Sequence, residues 1–325
     1  MKAICFEQAG EPSRVLLLKE IEKPEPGAGE VRLKIIGSPI NPADEMFIKG
    51  QYRLKPVFPE VAGLEGAGII DAVGENVDLH VGVRASFFAK RVWAEYVVVP
   101  ASDLFLLPQN LPDEKAVQSF LNPVTSWGLL EEVGVKENDW LLLTAGNSSV
   151  SRIVAQISAK RGVKVILVVR NSENSGELKS LGAREVIDSS TEEISKRVLE
   201  ITGGKGVNGI LDSVGGKTGT ELFRSVAVDA RIVVYGILSR ETAEFHNSVF
   251  LYKNVTMKGF GVRGYLESRT SEQKDRMLAS LAEVISRREF RLDVSAWYSL
   301  GEYREALEAY DKDGRHGKIV FRPEQ

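Results

Sequence analysis

Tyr52 and three polar segments downstream of it hold the side chains best suited to chemistry in this chain. Tyr52 follows Asn41-Pro42-Ala43-Asp44 within about a dozen residues. A phenol with an ordinary pKa near 10 can donate a proton to a developing enolate when a pocket holds it. A tyrosine in a loop can equally be packing or surface. The turn Ala145-Gly146-Asn147-Ser148-Ser149-Val150-Ser151 follows an apolar run. A sheet that binds a dinucleotide holds pyrophosphate at such a turn, on the N–H groups and positive dipole end of the next helix. The usual glycines are largely absent, and a structural turn capped by Asn147 or Ser148 is the alternative. The next strand ends in Val169-Arg170-Asn171-Ser172. An acidic residue there would accept from a ribose 2′-hydroxyl, whereas a guanidinium with small polar neighbours suits a 2′-phosphate. A solvated arginine is the plainer reading; the strand–helix context favours NADPH over NADH. Asn122-Pro123-Val124-Thr125-Ser126-Trp127 opens a helix, where its polar side chains either face a nicotinamide amide or cap that helix.

These segments need elements to position them. The first part of the chain reads as β-rich, with alternating stretches such as Val31–Ile36 and Ala94–Val99 between Pro/Gly punctuation. Gly66 to Val73 is a strand of small and β-branched residues that passes another backbone closely. After Pro112 the texture becomes a strand–helix alternation: a strand at Trp140–Thr144, a helix from Ser151 to Arg161, a strand at Val163–Val169, and a short helix from Glu177 to Leu181. It continues through Gly209–Val214, Thr220–Val226 and Arg231–Gly236, then an amphipathic helix from Gln273 to Arg288 and a final strand at Gly317–Phe321. Such repetition predicts a doubly wound parallel sheet. Gly215-Gly216-Lys217-Thr218 resembles the end of a P-loop, but Leu211 stands where its first glycine belongs, and Gly203–Gly206 reads as a loop.

With 325 residues, 43% of them hydrophobic and 27% charged, the chain has room for two domains, and a net charge of -3 gives no pull towards nucleic acid or anionic membrane. No apolar run is long enough to span a bilayer, so neither partner is expected. Met1–Phe6 enters a strand-like pattern at once, which leaves no room for a signal or transit peptide, and a single cysteine leaves the redox compartment unconstrained, with cytoplasm the default location. Cys5, the single cysteine, lies in an apolar strand and is no candidate nucleophile. With His80, His246 and His316 far apart and one cysteine, neither a four-cysteine nor a two-cysteine, one-histidine zinc site can be assembled, so no metal is expected.

Val61-Ala62-Gly63-Leu64-Glu65-Gly66-Ala67-Gly68 resembles the Gly-His-Glu-x-x-Gly signature of zinc alcohol dehydrogenases, with Leu64 in place of the metal-binding histidine. Across its whole length the chain resembles the zinc-independent medium-chain dehydrogenase/reductase superfamily, in its quinone oxidoreductase and trans-2-enoyl-thioester reductase branch. Asn41–Asp44 through Gly50-Gln51-Tyr52 is similar to the motif that carries the catalytic tyrosine, and Asn122–Thr125 to the nicotinamide-side asparagine motif. Asn147–Ser151 resembles the Asn-Ser-Gly-Val-Gly phosphate turn, and Val168–Asn171 the NADP-selecting strand end. Val214–Lys217 through Glu221-Leu222, Tyr235-Gly236-Ile237-Leu238, Phe260-Gly261-Val262-Arg263 and Lys318 match further stretches of the branch.

The resemblance implies Tyr52 and Asn122 as catalytic residues. It implies cofactor contacts at Asn41, Thr125, Asn147, Ser148, Ser149, Val150, Arg170, Asn171, Ser172, Tyr235, Gly236, Ile237, Leu238, Phe260, Gly261, Val262 and Lys318. Ser149 and Ser151 depart from two turn glycines, Trp127 from a tyrosine, and Glu45-Met46-Phe47 from the usual lead-in to Tyr52. The implied fold is α/β: a GroES-like β-barrel catalytic domain over residues 1–120 and 268–325, and a Rossmann domain over 121–267, with the active site in the cleft between them. The implied activity is NADPH-dependent reduction of a C=C bond conjugated to a carbonyl, in an enone or enoyl thioester. Quinone reduction is the nearest alternative, and a catalytically silent NADP(H)-binding module the more distant one. A homodimer through the edge strand Asn254–Phe260 is also implied.

Overall fold

The structure, a computed structural model, describes residues 1–312 and 316–324. The chain divides into two compact units, Met1–Leu121 with Leu278–Gln325, and Asn122–Met277. In chain order the strands are β1 (Lys2–Phe6), β2 (Leu17–Glu20), β3 (Glu30–Pro39), β4 (Glu60–Val61), β5 (Glu65–Val73), β6 (Arg84–Phe88), β7 (Tyr96–Pro100) and β8 (Phe105–Leu106). They continue with β9 (Trp140–Leu143), β10 (Lys164–Val169), β11 (Ala183–Asp188), β12 (Val207–Asp212), β13 (Val226–Val234), β14 (Thr256–Gly259), β15 (Val294–Tyr298) and β16 (Lys318–Phe321).

The first unit is built on antiparallel strands, apart from the parallel pair β15–β16. One sheet runs β15-β16-β3-β5-β6-β8 with β7 also on β3, and a smaller one runs β2-β1-β4. The C-terminal segment returns here because β16 pairs with β3, placing Val320 opposite Pro39 and Phe321 opposite Ser38. Phe321 then packs edge-on to Trp93, ring centroids 4.8 Å apart, inside a core with Ile4, Phe6, Phe47 and Leu64. Full burial of such side chains stabilises by roughly 1.5–3 kcal/mol each. The close passage expected along Gly66–Val73 is present: a Cβ on Gly68 would lie 2.7 Å from the Lys34 carbonyl oxygen on β3.

The second unit is a six-stranded sheet in the order β11-β10-β9-β12-β13-β14, parallel throughout. Its inner strands are continuous apolar runs, such as Leu141-Leu142-Leu143 and Val165–Val169, because helices cover both faces of a parallel sheet. The strand order reverses between β9 and β12, the place where open α/β sheets bind ligands. Several elements begin earlier than the sequence pattern indicates. The helix expected from Ser151 spans Ser149–Lys160 because Ser148 caps it. The one expected over Thr220–Val226 spans Gly216–Arg224, and β13 starts at Val226 rather than Arg231. Turn-forming residues carried into the first turn or strand hide such starts from a hydrophobic-period reading.

Candidate active site

In the first unit the site begins at a short helix, Pro42–Ile48. Proline in its first turn fixes φ where no N–H is needed, and Asp44 and Glu45 place negative charge at the positive dipole end. Asp44 is fully buried, with Oδ2 accepting from the Asn41 N–H at 2.7 Å and Oδ1 from the Leu64 N–H at 2.8 Å. Burial pushes its pKa up to about 7, despite the pull of the Asn41 N–H. The chain then turns so that the Tyr52 N–H donates to the Met46 carbonyl at 2.9 Å. Tyr52 is half-buried, its ring against the core that contains Leu64. Burial raises the pKa of its hydroxyl, with Arg53 drawing it back.

Leu64 is an interior residue of that core with no exposed surface. Its neighbour Glu65 is also fully buried: Oε2 accepts from Asn41 Nδ2 at 2.8 Å and Oε1 from the Leu121 N–H at 2.7 Å. Burial pushes the Glu65 pKa up, and the nearby Lys318 ammonium pulls it down. Lys318, from β16, donates to Asn41 Oδ1 and, at 3.4 Å, to the Ile40 carbonyl. The structure therefore brings Asn41 and Lys318 together with two carboxylates to which the sequence reading gave no role. Neither strand pattern nor spacing could pair residues so distant; the only local cue is that Glu65 follows Leu64 in the altered signature. Among the described residues, no group of three or more His, Cys, Asp or Glu is placed to hold a metal ion.

In the second unit, the expected positions gather at the carboxyl ends of the parallel strands. Beyond β9, Gly146 is the glycine the turn requires: a Cβ there would lie 2.9 Å from both Leu167 and Val169 on β10. Ala145 beside it adopts φ +48, a left-handed conformation costly for a residue with a Cβ and unmarked in the sequence. Ser148 is the cap, its Oγ accepting from the Ser151 N–H at 3.3 Å. Buried Ser151 donates to the Thr144 carbonyl at 3.1 Å, so this departure from glycine fastens the turn to the strand. Val150 is buried below the turn, Ser149 is half-exposed and Asn147 is exposed. The N–H groups of a helix's first turn have no partner within the helix, which makes them suited to phosphate oxygens.

Arg170, Asn171 and Ser172, all exposed, follow β10. Asp188, at the end of β11, accepts from Ser190 and Ser172, which holds its carboxyl below the usual range. After β12, Asp212 Oδ1 accepts from Thr144 Oγ1 at 2.7 Å and from the Val214 N–H at 2.9 Å, linking the ends of adjacent strands. Tyr235 and Gly236 follow β13. The Tyr235 hydroxyl is buried beside Ser213, Ser151 and Ser148 without a hydrogen bond of good geometry, and burial raises its pKa. Ile237 and Leu238 are 73% and 61% exposed, an adjacent apolar pair just beyond the end of β13. Phe260 and Gly261 follow β14 and lead to buried Val262; the Phe260 ring packs where a Cβ on Gly128 would lie. Asn122 is buried and Thr125 half-buried on the helix Leu121–Val133. The small turn, a helix N-terminus, an arginine at the neighbouring strand end and exposed apolar residues across the switch point fit an NADP-type dinucleotide.

Comparison with known proteins agrees. The zinc-binding dehydrogenase family matches residues 149–283, and the alcohol dehydrogenase GroES-like domain matches residues 27–109. The human mitochondrial enoyl-[acyl-carrier-protein] reductase is 30% identical over 323 residues, covering 95% of this chain and 85% of that protein. The structure of Escherichia coli quinone oxidoreductase complexed with NADPH is 25% identical, with a TM-score of 0.90 over 99% of this chain and 100% of that one. The Pseudomonas syringae quinone oxidoreductase is 26% identical, with a TM-score of 0.90 over 99% of both chains. The chain belongs to the medium-chain dehydrogenase/reductase superfamily, in its quinone oxidoreductase and enoyl reductase branch. It is an NADP-dependent oxidoreductase with a GroES-like domain and a Rossmann domain. Among the described residues no helix is long and apolar enough to cross a membrane.

Proposed function

We propose that this enzyme reduces the C=C bond of an α,β-unsaturated carbonyl, with a trans-2-enoyl thioester as substrate. The observation that carries the reading is Tyr52, a half-buried phenol whose pKa is raised by burial and which therefore stays protonated at neutral pH. When bound, NADPH would supply the hydride that the β-carbon takes. Negative charge then develops on the carbonyl oxygen, which needs hydrogen-bond donors set in advance. Tyr52 donates the proton that the α-carbon takes, directly or through water. The Asn122 amide orients the nicotinamide or substrate, and Arg170 with Asn171 and Ser172 receives the 2′-phosphate. The similarity to an enoyl reductase over 95% of the chain supports the same substrate class.

Quinone reduction is the second reading, favoured by the structural likeness to quinone oxidoreductases. A planar acceptor needs no proton on carbon, so Tyr52 would only line the pocket. Turnover of a crotonyl thioester and of a benzoquinone, measured side by side, separates the two. We expect Tyr52→Phe to slow thioester reduction by about 10²-fold or more while leaving quinone turnover nearly intact. Equal thioester rates for Tyr52→Phe and wild type would overturn the donor role.

The same reading includes a homodimer. Among the described residues, strand β14 ends its sheet and pairs with β13 alone, and its residues Thr256–Gly259 are all exposed. An unpaired edge of this kind invites a second copy. Light scattering should report a dimer that Met257→Asp weakens; a monomeric wild type would refute it.

A further inference from the structure

The buried cluster of the first unit contains a device that the reaction alone does not require. One carboxylate, Glu65, is shared between two segments. Its Oε2 accepts from the Asn41 side chain, at the head of the helix that leads to Tyr52; its Oε1 accepts from the N–H of Leu121, the residue before Asn122. The Asn41 amide is polarised from both ends. Lys318 can only donate, so it fixes Oδ1 towards itself; an ionised Glu65 can only accept, so it fixes Nδ2. All three side chains are buried, at 2% exposure for Asn41, 0% for Glu65 and 7% for Lys318.

We propose that Glu65 is a positioning residue: held by Lys318 through the oriented Asn41 amide, it fixes the segment that leads to Tyr52 and the backbone at Leu121, where the helix that carries Asn122 starts. This assigns Lys318 to the charge balance of that carboxylate. The inference rests on the enone-reductase reading for its choice of Tyr52 and Asn122, but its wiring does not depend on the substrate.

The wiring makes an unusual prediction for a double-variant cycle. In Glu65→Gln the new NH2 group faces the Asn41 NH2. Turning the Asn41 amide would relieve that conflict only by aiming its NH2 at the Lys318 ammonium. The single variant is therefore frustrated in either orientation. In Glu65→Gln/Lys318→Met the amide is released to turn, so that its oxygen accepts from Gln at position 65, and the Leu121 N–H keeps its acceptor. Lys318→Met alone leaves a buried carboxylate without its counter-charge.

The test measures kcat and KM for NADPH and substrate, together with thermal midpoints of the cofactor-free proteins. Glu65→Gln should lower kcat by about 10- to 100-fold, the scale of a small misplacement of reacting groups, with both KM values within about threefold of wild type. The double variant should exceed Glu65→Gln in kcat by about fivefold or more and have a higher midpoint than either single variant. A kcat for Glu65→Gln equal to wild type, or a double variant as slow as the slower single one, would overturn the proposal. A fall in midpoint with no change in kcat would show a purely structural role and also overturn it. Failure of the enone reading is visible separately, as wild-type turnover of quinone without turnover of thioester. In that event the same cycle is read on quinone reduction, and the midpoint coupling stands or falls independently.

Discussion

Two sets of polar side chains, one in each unit, are held in opposite ways. In the first, Asn41, Asp44, Glu65 and Lys318 are buried and satisfy one another or the adjacent backbone. In the second, Asn147, Arg170, Asn171 and Ser172 stand exposed at the ends of buried apolar strands, with Ile237 and Leu238 exposed beside the same sheet. Desolvated groups cannot rely on water to repair a lost partner, so the first arrangement holds one geometry and makes every member costly to remove. On the proposed reading the exposed rim awaits a ligand, and exposed groups of this kind contribute little to the stability of the free protein. Substitutions in the first unit should therefore disturb the free protein, and those on the rim should be felt mainly in binding.

Asp44→Ala is the severest way to test that contrast. It leaves the N–H groups of Asn41 and Leu64 buried without their acceptor, at about 1–3 kcal/mol for each. Denaturant melts should show a loss of that order, and a loss below about 0.5 kcal/mol would erase the distinction between the units. The pH dependence sharpens it. The Asp44 pKa rises from an ordinary 3.8 to about 7 on folding. The folded state thus holds a proton that the unfolded state has released between these values, and stability from this group is full below about pH 4 and lost as pH climbs through 7. Asp44→Asn removes that titration, so its stability should decline less steeply between pH 4 and 7 than that of wild type. Parallel pH profiles for the two proteins would place the proton elsewhere.

The contrast also explains what was legible in the sequence. The strands of the second unit announced themselves because a parallel sheet covered on both sides needs uninterrupted apolar runs, as in Val165–Val169. Their ends are then the ligand-binding edge, so Arg170 and the turn before Ser151 could be placed by counting alone. The buried polar cluster was not legible as a cluster. Asn41 meets Glu65 across 24 positions and Lys318 across 277, and no periodicity encodes such encounters. Each residue was visible only through its own short motif, which is why Lys318 suggested a cofactor contact and Glu65 suggested nothing. Ala145 was equally silent, because alanine carries no signature of the left-handed conformation it adopts. Leu64 shows the reverse: its identity marked it at once as a departure from the histidine of the signature, while its place in the core with Phe6 and Trp93 became clear only from the packing.

The gentlest probe of the contrast lies on the rim. Arg170 is exposed at the end of β10, so Arg170→Ala should leave the melting behaviour of the free protein within about 0.5 kcal/mol of wild type. Its effect should appear only with a ligand that carries the 2′-phosphate. A guanidinium pairing with a phosphate contributes about 1.5–3 kcal/mol through charge-assisted hydrogen bonds, which corresponds to a rise of about 10- to 150-fold in Kd for NADPH. NADH lacks that phosphate, and its Kd should change by less than about threefold. Fluorescence titration of both cofactors against wild type and variant measures the difference directly. An equal loss for NADPH and NADH would mean that Arg170 shapes the loop rather than reads the phosphate. A large fall in stability of the free protein would mean that this rim is built on the same interlocking principle as the cluster around Glu65.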